Sequence, residues 1–113
     1  MKDTVIQCTR FGMGHTNIHS LNVKLITKYF DILLEGNDLP AAVTFYTDGV
    51  QLVTEGSPIL EQLSKLEEKG VRLIICSTCL AELRLSDKVK VGIVGGMPDI
   101  IEAQIKASKV ITI

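Results

Sequence analysis

Aromatic residues are scarce in this chain, 4% of the total, and no basic stripe interrupts a charge balance that sums to -1. Together these absences remove the footprint expected of a protein that grips nucleic acid or lies on an anionic membrane. No apolar run approaches the length of a membrane span, and the opening Met1-Lys-Asp-Thr-Val5 lacks the apolar core of a signal peptide, so the expected location is the cytoplasm. Only three cysteines occur in the 113 residues. That odd number argues for reduced thiols with a chemical task over a disulfide framework. No Gly-Lys-Ser/Thr phosphate loop exists, Gly12-x-Gly14 lacks the third glycine of a dinucleotide fingerprint, and no Ser-His-Asp or Cys-His pair is identifiable by spacing. Internal repeats, low-complexity tracts and linkers are likewise missing. What remains is 46% hydrophobic and 22% charged residues with a mean hydropathy of +0.30, the composition of one apolar domain spanning 1–113.

The richest stretch is Val71-Arg-Leu-Ile-Ile-Cys76-Ser-Thr-Cys79-Leu-Ala-Glu-Leu83. Its apolar first half, introduced by Gly70, reads as a strand buried on both faces. Ser77 or Thr78 then serves as cap for a helix beginning near Cys79. A thiol in the first turn of a helix, at the carboxyl end of a central strand, is expected to ionise more readily, and the thiolate is the reactive form. Cys76 closes the buried strand and Cys79 faces the cleft. The bland alternative is that both are small core residues.

The rest of the chain supplies partners for that strand. Thr4–Thr9 is a short strand followed by the loop Arg10–His15. From Ile18 to Leu33 apolar residues recur at helical spacing, and Gly36-Asn37 stops the helix. Ala41–Tyr46 is the second strand. The segment Thr47–Glu55 reads as a loop whose apolar Val50, Leu52 and Val53 are candidates for an interface. Ser57 as cap and Pro58 at the first helical position open a second helix that carries Leu60, Leu63 and Leu66. Lys88–Val94 reads as a short strand, Pro98 opens a last helix, and Lys109–Ile113 closes the chain as a strand. Alternating strands and helices predict an α/β fold with a parallel sheet and helices on both faces. Cys8, at the end of the first strand, is expected in the core.

Several residues match a known pattern in order: Phe45-Tyr46, Gly49-Val50, Glu55-Gly56-Ser57, Leu60-Glu61, Leu66-Glu67, Lys69-Gly70-Val71, Cys76 with Thr78-Cys79-Leu80, Val91-Gly92, Met97 with Asp99-Ile100, and Lys109-Val110-Ile111. This pattern resembles the DsrE/DsrF-like family, and within it the YedF-type, sulfurtransferase-like branch associated with selenium metabolism. The resemblance implies a three-layer α/β/α sandwich around a five-stranded, mainly parallel sheet, assembled as a homo-oligomer, a dimer or trimer. It also implies a relay of sulfur or selenium in which Cys79 carries a persulfide, with Cys76 as its motif companion. Donor and acceptor proteins, TusA-like carriers among them, are the implied partners. No cofactor is implied. Two features depart from that branch: 113 residues leave no room for the additional TusA-like domain often found there, and the first loop reads Gly12-Met13-Gly14-His15 in place of Gly-x-Gly-Asp.

In a doubly wound sheet the loops after the first three strands gather at one edge. That edge is expected to hold Gly12, Met13 and Gly14, then Tyr46, Thr47 and Asp48, then Thr78 and Cys79. Cys76 either resolves a persulfide on Cys79 by forming an internal disulfide or lies buried behind it. Two further chemistries fit the same residues: a reversible dithiol of the thioredoxin kind, and zinc held by His15, His19, Cys76 and Cys79. A reading from a different class is a non-catalytic oligomeric module that binds a small ligand in the cleft and uses its cysteines only for packing.

Overall fold

Every residue of Thr4–Cys8 (β1) and Ala42–Phe45 (β2) is buried, as are four of the five in Arg72–Cys76 (β3). Strands buried on both faces belong in the middle of a parallel sheet. The computed structural model, which describes residues 1–113, places them there. The sheet order is β4-β3-β2-β1-β5, with Ile93–Gly95 (β4) and Lys109–Thr112 (β5) as the more exposed edges. All four strand pairs are parallel, which bears out the mainly parallel, five-stranded sheet expected. Register rows run across the sheet, one through Val5, Ala42 and Arg72 and the next through Ile6, Val43 and Leu73.

The helices follow from that order. Crossovers from β1 to β4 step in one direction, so right-handedness places His19–Gly36 (α1) and Leu60–Glu68 (α2) on one face, where they pack together. The return from β4 to β5 steps the other way and puts Met97–Lys106 (α4) on the opposite face, where Gln104 meets Gln7. The result is the three-layer α/β/α sandwich. The short helix Ser77–Glu82 (α3) lies at the carboxyl end of β3, packed against a 3-10 segment, Thr47–Val53.

Four local expectations change. The 3-10 segment replaces the loop foreseen after β2, and Val50, Leu52 and Val53 are fully buried in it, which removes them as interface candidates. Gly49 makes that burial possible, since a Cβ there would stand 1.9 Å from the carbonyl oxygen of Cys8. The alternating stretch Lys88–Lys90 does not join the parallel sheet. It clasps the end of the 3-10 segment through Val89 opposite Thr54, with Lys90 N–H donating to the Val53 carbonyl at 2.9 Å, so β4 shrinks to three residues. Helix α2 begins at Leu60, and Ser57 accepts the Ile59 N–H at 3.2 Å one turn early. Helix α3 begins at Ser77, with Cys76 as its N-cap and no side-chain cap bond, so neither Ser77 nor Thr78 caps it.

Candidate functional site

Because the strands are parallel, the ends of β1, β2 and β3 open onto the same edge, and each delivers one part of the site. Strand β3 delivers the cysteines. Cys76 is buried at its last position, and Cys79, the third residue of α3, is half-buried. Cys8, ending β1, is fully buried, and that burial pushes its thiol far above the usual range. All three are free thiols.

The segment that leaves β2 delivers a main-chain donor to a cysteine sulfur. The main-chain N–H of Thr47 donates to Cys79 Sγ at 3.1 Å. Burial nevertheless raises the Cys79 thiol above its ordinary value; the Thr47 N–H works against that rise and the neighbouring Cys76 thiol adds to it. The ready ionisation expected of a first-turn cysteine is therefore not realised. A helix of six residues contributes little dipole, and partial loss of water outweighs one hydrogen bond.

Thr47 itself is unusual. Its φ of +50° lies in the left-handed region, which a β-branched residue rarely adopts. Its hydroxyl lies 2.7 Å from both the Thr9 and Tyr46 carbonyl oxygens, fastening the end of β2 to the end of β1. Tyr46 turns the other way. Its hydroxyl accepts from Gln7 Nε2 at 3.2 Å, and Gln7 also donates to Thr112 and accepts from Gln104. Tyr46 thus belongs to a polar network between the sheet and α4, away from the open edge.

Strand β1 delivers an open, polar cleft of about 710 Å³ with Phe11 as its one apolar wall residue. Arg10, Gly14, His15, His19, Asp48 and Gln51 contribute to the lining. Of the residues foreseen at this edge, Gly14 and Asp48 line the cleft. Thr47 stands between the cleft and Cys79, bonded to the sulfur on one side and to Thr9, a wall residue, on the other. Thr78 is exposed on the first turn of α3, outside the cleft. Met13 lies in a separate groove with Tyr29 and Ile113. Gly12 is buried, and at φ +140° a Cβ there would meet that of Asn22 at 2.6 Å, so its role is to let the loop lie against α1.

Cys79 is absent from the cleft lining. His15 and His19 line it, but no three His, Cys, Asp or Glu side chains converge as metal ligands, so the four-ligand zinc arrangement does not form. Two contributors were not foreseen. Arg10 donates to the Gly14 carbonyl at 2.8 Å and closes the loop on itself. Asn22 donates to the carbonyls of Met13 and Gly14 at 2.8 and 3.0 Å. Spacing carried the signal for Asn22, which stands four residues before Ile26 and eight before Phe30 on the buried line of α1.

A family model described as the DsrE/DsrF-like family matches residues 8–113. Two solved structures align over 100% of this chain and 100% of their own: the YchN protein of E. coli, at 17% identity and a TM-score of 0.71, and MTH1491 of Methanobacterium thermoautotrophicum, described as a protein of unknown function, at 20% identity and 0.70. At those identities the likeness is one of fold. No curated protein matches the chain.

Proposed function

The chain belongs to the DsrE/DsrF-like family, generally related to sulfur relay, and from that premise we propose that it carries sulfur, or selenium, as a persulfide on Cys79 and hands it to a partner thiol. The observation that carries this reading is the contrast among the cysteines: Cys8 and Cys76 are sealed in the core, while Cys79 reaches solvent and holds a main-chain N–H on its sulfur. A relay needs a reachable sulfur and a donor beside it, and little more.

In the loading step the Cys79 thiolate attacks the outer sulfur of a donor persulfide. A new S–S bond forms at Cys79, the donor's S–S bond breaks, and the donor leaves as its thiolate. In the discharge step an acceptor thiolate attacks the outer sulfur now on Cys79, and the electron pair of the broken bond returns to Cys79 Sγ. Neither step needs an oxidant. Cys76, next to Cys79 and shielded from solvent, has a second course open to it: attack on Cys79 Sγ would form an internal disulfide and release the outer sulfur as sulfide. The partners of this reading are donor and acceptor proteins in the cytoplasm, TusA-like carriers among them, and a further copy of the chain against the apolar side of α4.

Intact-mass measurement before and after treatment with a small alkyl persulfide tests the proposal. A gain of one sulfur, removed by reductant, kept in Cys76→Ser and lost in Cys79→Ser, is the expected result. Loading should also quicken as pH rises toward the elevated Cys79 value. No gain at any pH up to that value sinks the relay.

The cleft favours a second reading. It is polar, open, and free of cysteine, the form of a site that binds a small polar ligand without thiol chemistry. An unloaded Cys79 together with ligand-induced shifts at His15 and His19 in NMR spectra would establish that module instead.

A further inference from the structure

We propose that Thr47 is the positioning residue of the relay, fixing its own main-chain N–H on Cys79 Sγ so that this sulfur becomes a better leaving group when the persulfide is discharged. The inference rests on the reading of Cys79 as the carrier. It starts from the hydrogen-bond alternation of β2. Tyr46 N–H still donates to the β1 carbonyl of Cys8 at 3.2 Å, so the next N–H along the strand, that of Thr47, points to the β3 side. There β3 has already given way to α3, and the acceptor that meets it is a sulfur at 3.1 Å. Cys79 Sγ stands where the sheet would otherwise have offered its next carbonyl.

The conformation that holds this geometry is a strained one. A non-glycine residue in the left-handed region is disfavoured by contact of its Cβ with the backbone, and Thr47 is one of three in the chain. Glycine would adopt φ +50° freely, but it has no hydroxyl. Threonine supplies one, and that hydroxyl reaches the carbonyls of Thr9 and Tyr46. The strain and the two contacts occur in the same residue that touches the sulfur.

The chemistry decides which step profits. In the form that is discharged the outer sulfur carries a proton and Sγ is a neutral disulfide-like atom. When an acceptor thiolate attacks the outer sulfur, the bond to Sγ breaks and its electron pair localises on Sγ, where the Thr47 N–H already points. A hydrogen bond to the charged form favours that form, and a thiol of lower pKa leaves faster. The same donor opposes the burial that lifts the Cys79 thiol.

Thr47→Ala and Thr47→Ser test this. Position 47 is exposed, so both variants can be measured in the intact protein. Iodoacetamide alkylation of Cys79 is followed by intact mass across pH, alongside the rate of sulfur transfer from the loaded protein to a small thiol. Thr47→Ala loses the hydroxyl clamp; its alkylation midpoint should rise by about half to one pH unit and its discharge should slow several-fold. Thr47→Ser keeps the hydroxyl and should restore both. A Thr47→Ala protein that alkylates and discharges like the parent overturns the inference, even if its unfolding midpoint falls, because a merely structural role would move stability alone. Should the parent never load with sulfur while the Thr47→Ala midpoint still rises, the relay reading fails, and the discharge role goes with it, but the hold of Thr47 on the Cys79 sulfur survives.

Discussion

At the scale of single residues, the cysteines differ through what surrounds them. Cys8 ends β1 with no exposed surface, so its native state holds the proton well past the ordinary thiol value of 9.0. The unfolded chain gives up that proton near the ordinary value. A folded pKa raised above the unfolded one contributes stability that is intact below about pH 9 and drains away as pH climbs beyond it, at about 1.4 kcal/mol per pH unit. In urea titrations from pH 8 to 10.5, Cys8→Ala should be less stable than the parent at pH 8, through the cavity it leaves, and should show a shallower alkaline decline. Parallel declines would mean that Cys8 is hydrated in the native state. Gly49 sets a different limit. A methyl group 1.9 Å from the Cys8 carbonyl cannot be accommodated without moving β1 or the 3-10 segment. Gly49→Ala should cost about 3 kcal/mol or more, read as a lower urea midpoint with an unchanged slope.

Among the elements, the β1–α1 loop shows how a site wall is held. Its Met13 and Gly14 carbonyls both rest on the side-chain amide of Asn22, and Met13 N–H returns to the Asn22 carbonyl at 3.0 Å. Asn22→Leu suits the buried line of α1 but leaves both carbonyls without that donor. A loss of about 1–3 kcal/mol is expected, with faster proteolysis between Arg10 and Asn17 than in the parent; equal cleavage would show that the loop holds itself through Arg10. The same element shows what the chain reveals in one dimension. The central strands and the long helix were legible because their patterns repeat along the sequence: apolar runs for β1, β2 and β3, and 3.6-residue spacing for α1. The 3-10 segment, the clasp at Val89 and the true start of α3 were not, because each depends on a contact from elsewhere in the chain. Val50 and Leu52 read as loop residues until Gly49 is seen against Cys8. Cys76 and Cys79 were legible as a motif, whereas the donor on the Cys79 sulfur comes from Thr47, 32 residues away, and no local pattern announces it.

For the molecule as a whole, the two faces of the sheet are covered unequally. Helices α1 and α2 share one face; α4 alone covers the other. One stripe of its outer side is apolar, with Ile105 78% exposed, Ile101 and Met97 exposed on the same line, and Ile93 of the adjoining β4 at 66%, while the Glu102–Lys106 ion pair lies beside that stripe. Scattered apolar residues on a surface are ordinary, but a group on one helix and the edge strand beside it is the form of a surface that another molecule covers. A second copy offers the same apolar group, which is what a two-fold contact requires. Sedimentation at micromolar concentration should therefore give a dimer or larger species. Ile101→Glu with Ile105→Glu should dissociate it, since two buried charges per copy would face one another across the contact, and because both side chains are already in water in the single chain, the unfolding midpoint of the separated copy should not fall. A parent protein that sediments as a monomer at every concentration removes the contact. A double variant that stays assembled moves it to the exposed apolar side of α1, where Ile18, Leu21, Leu25 and Ile32 stand.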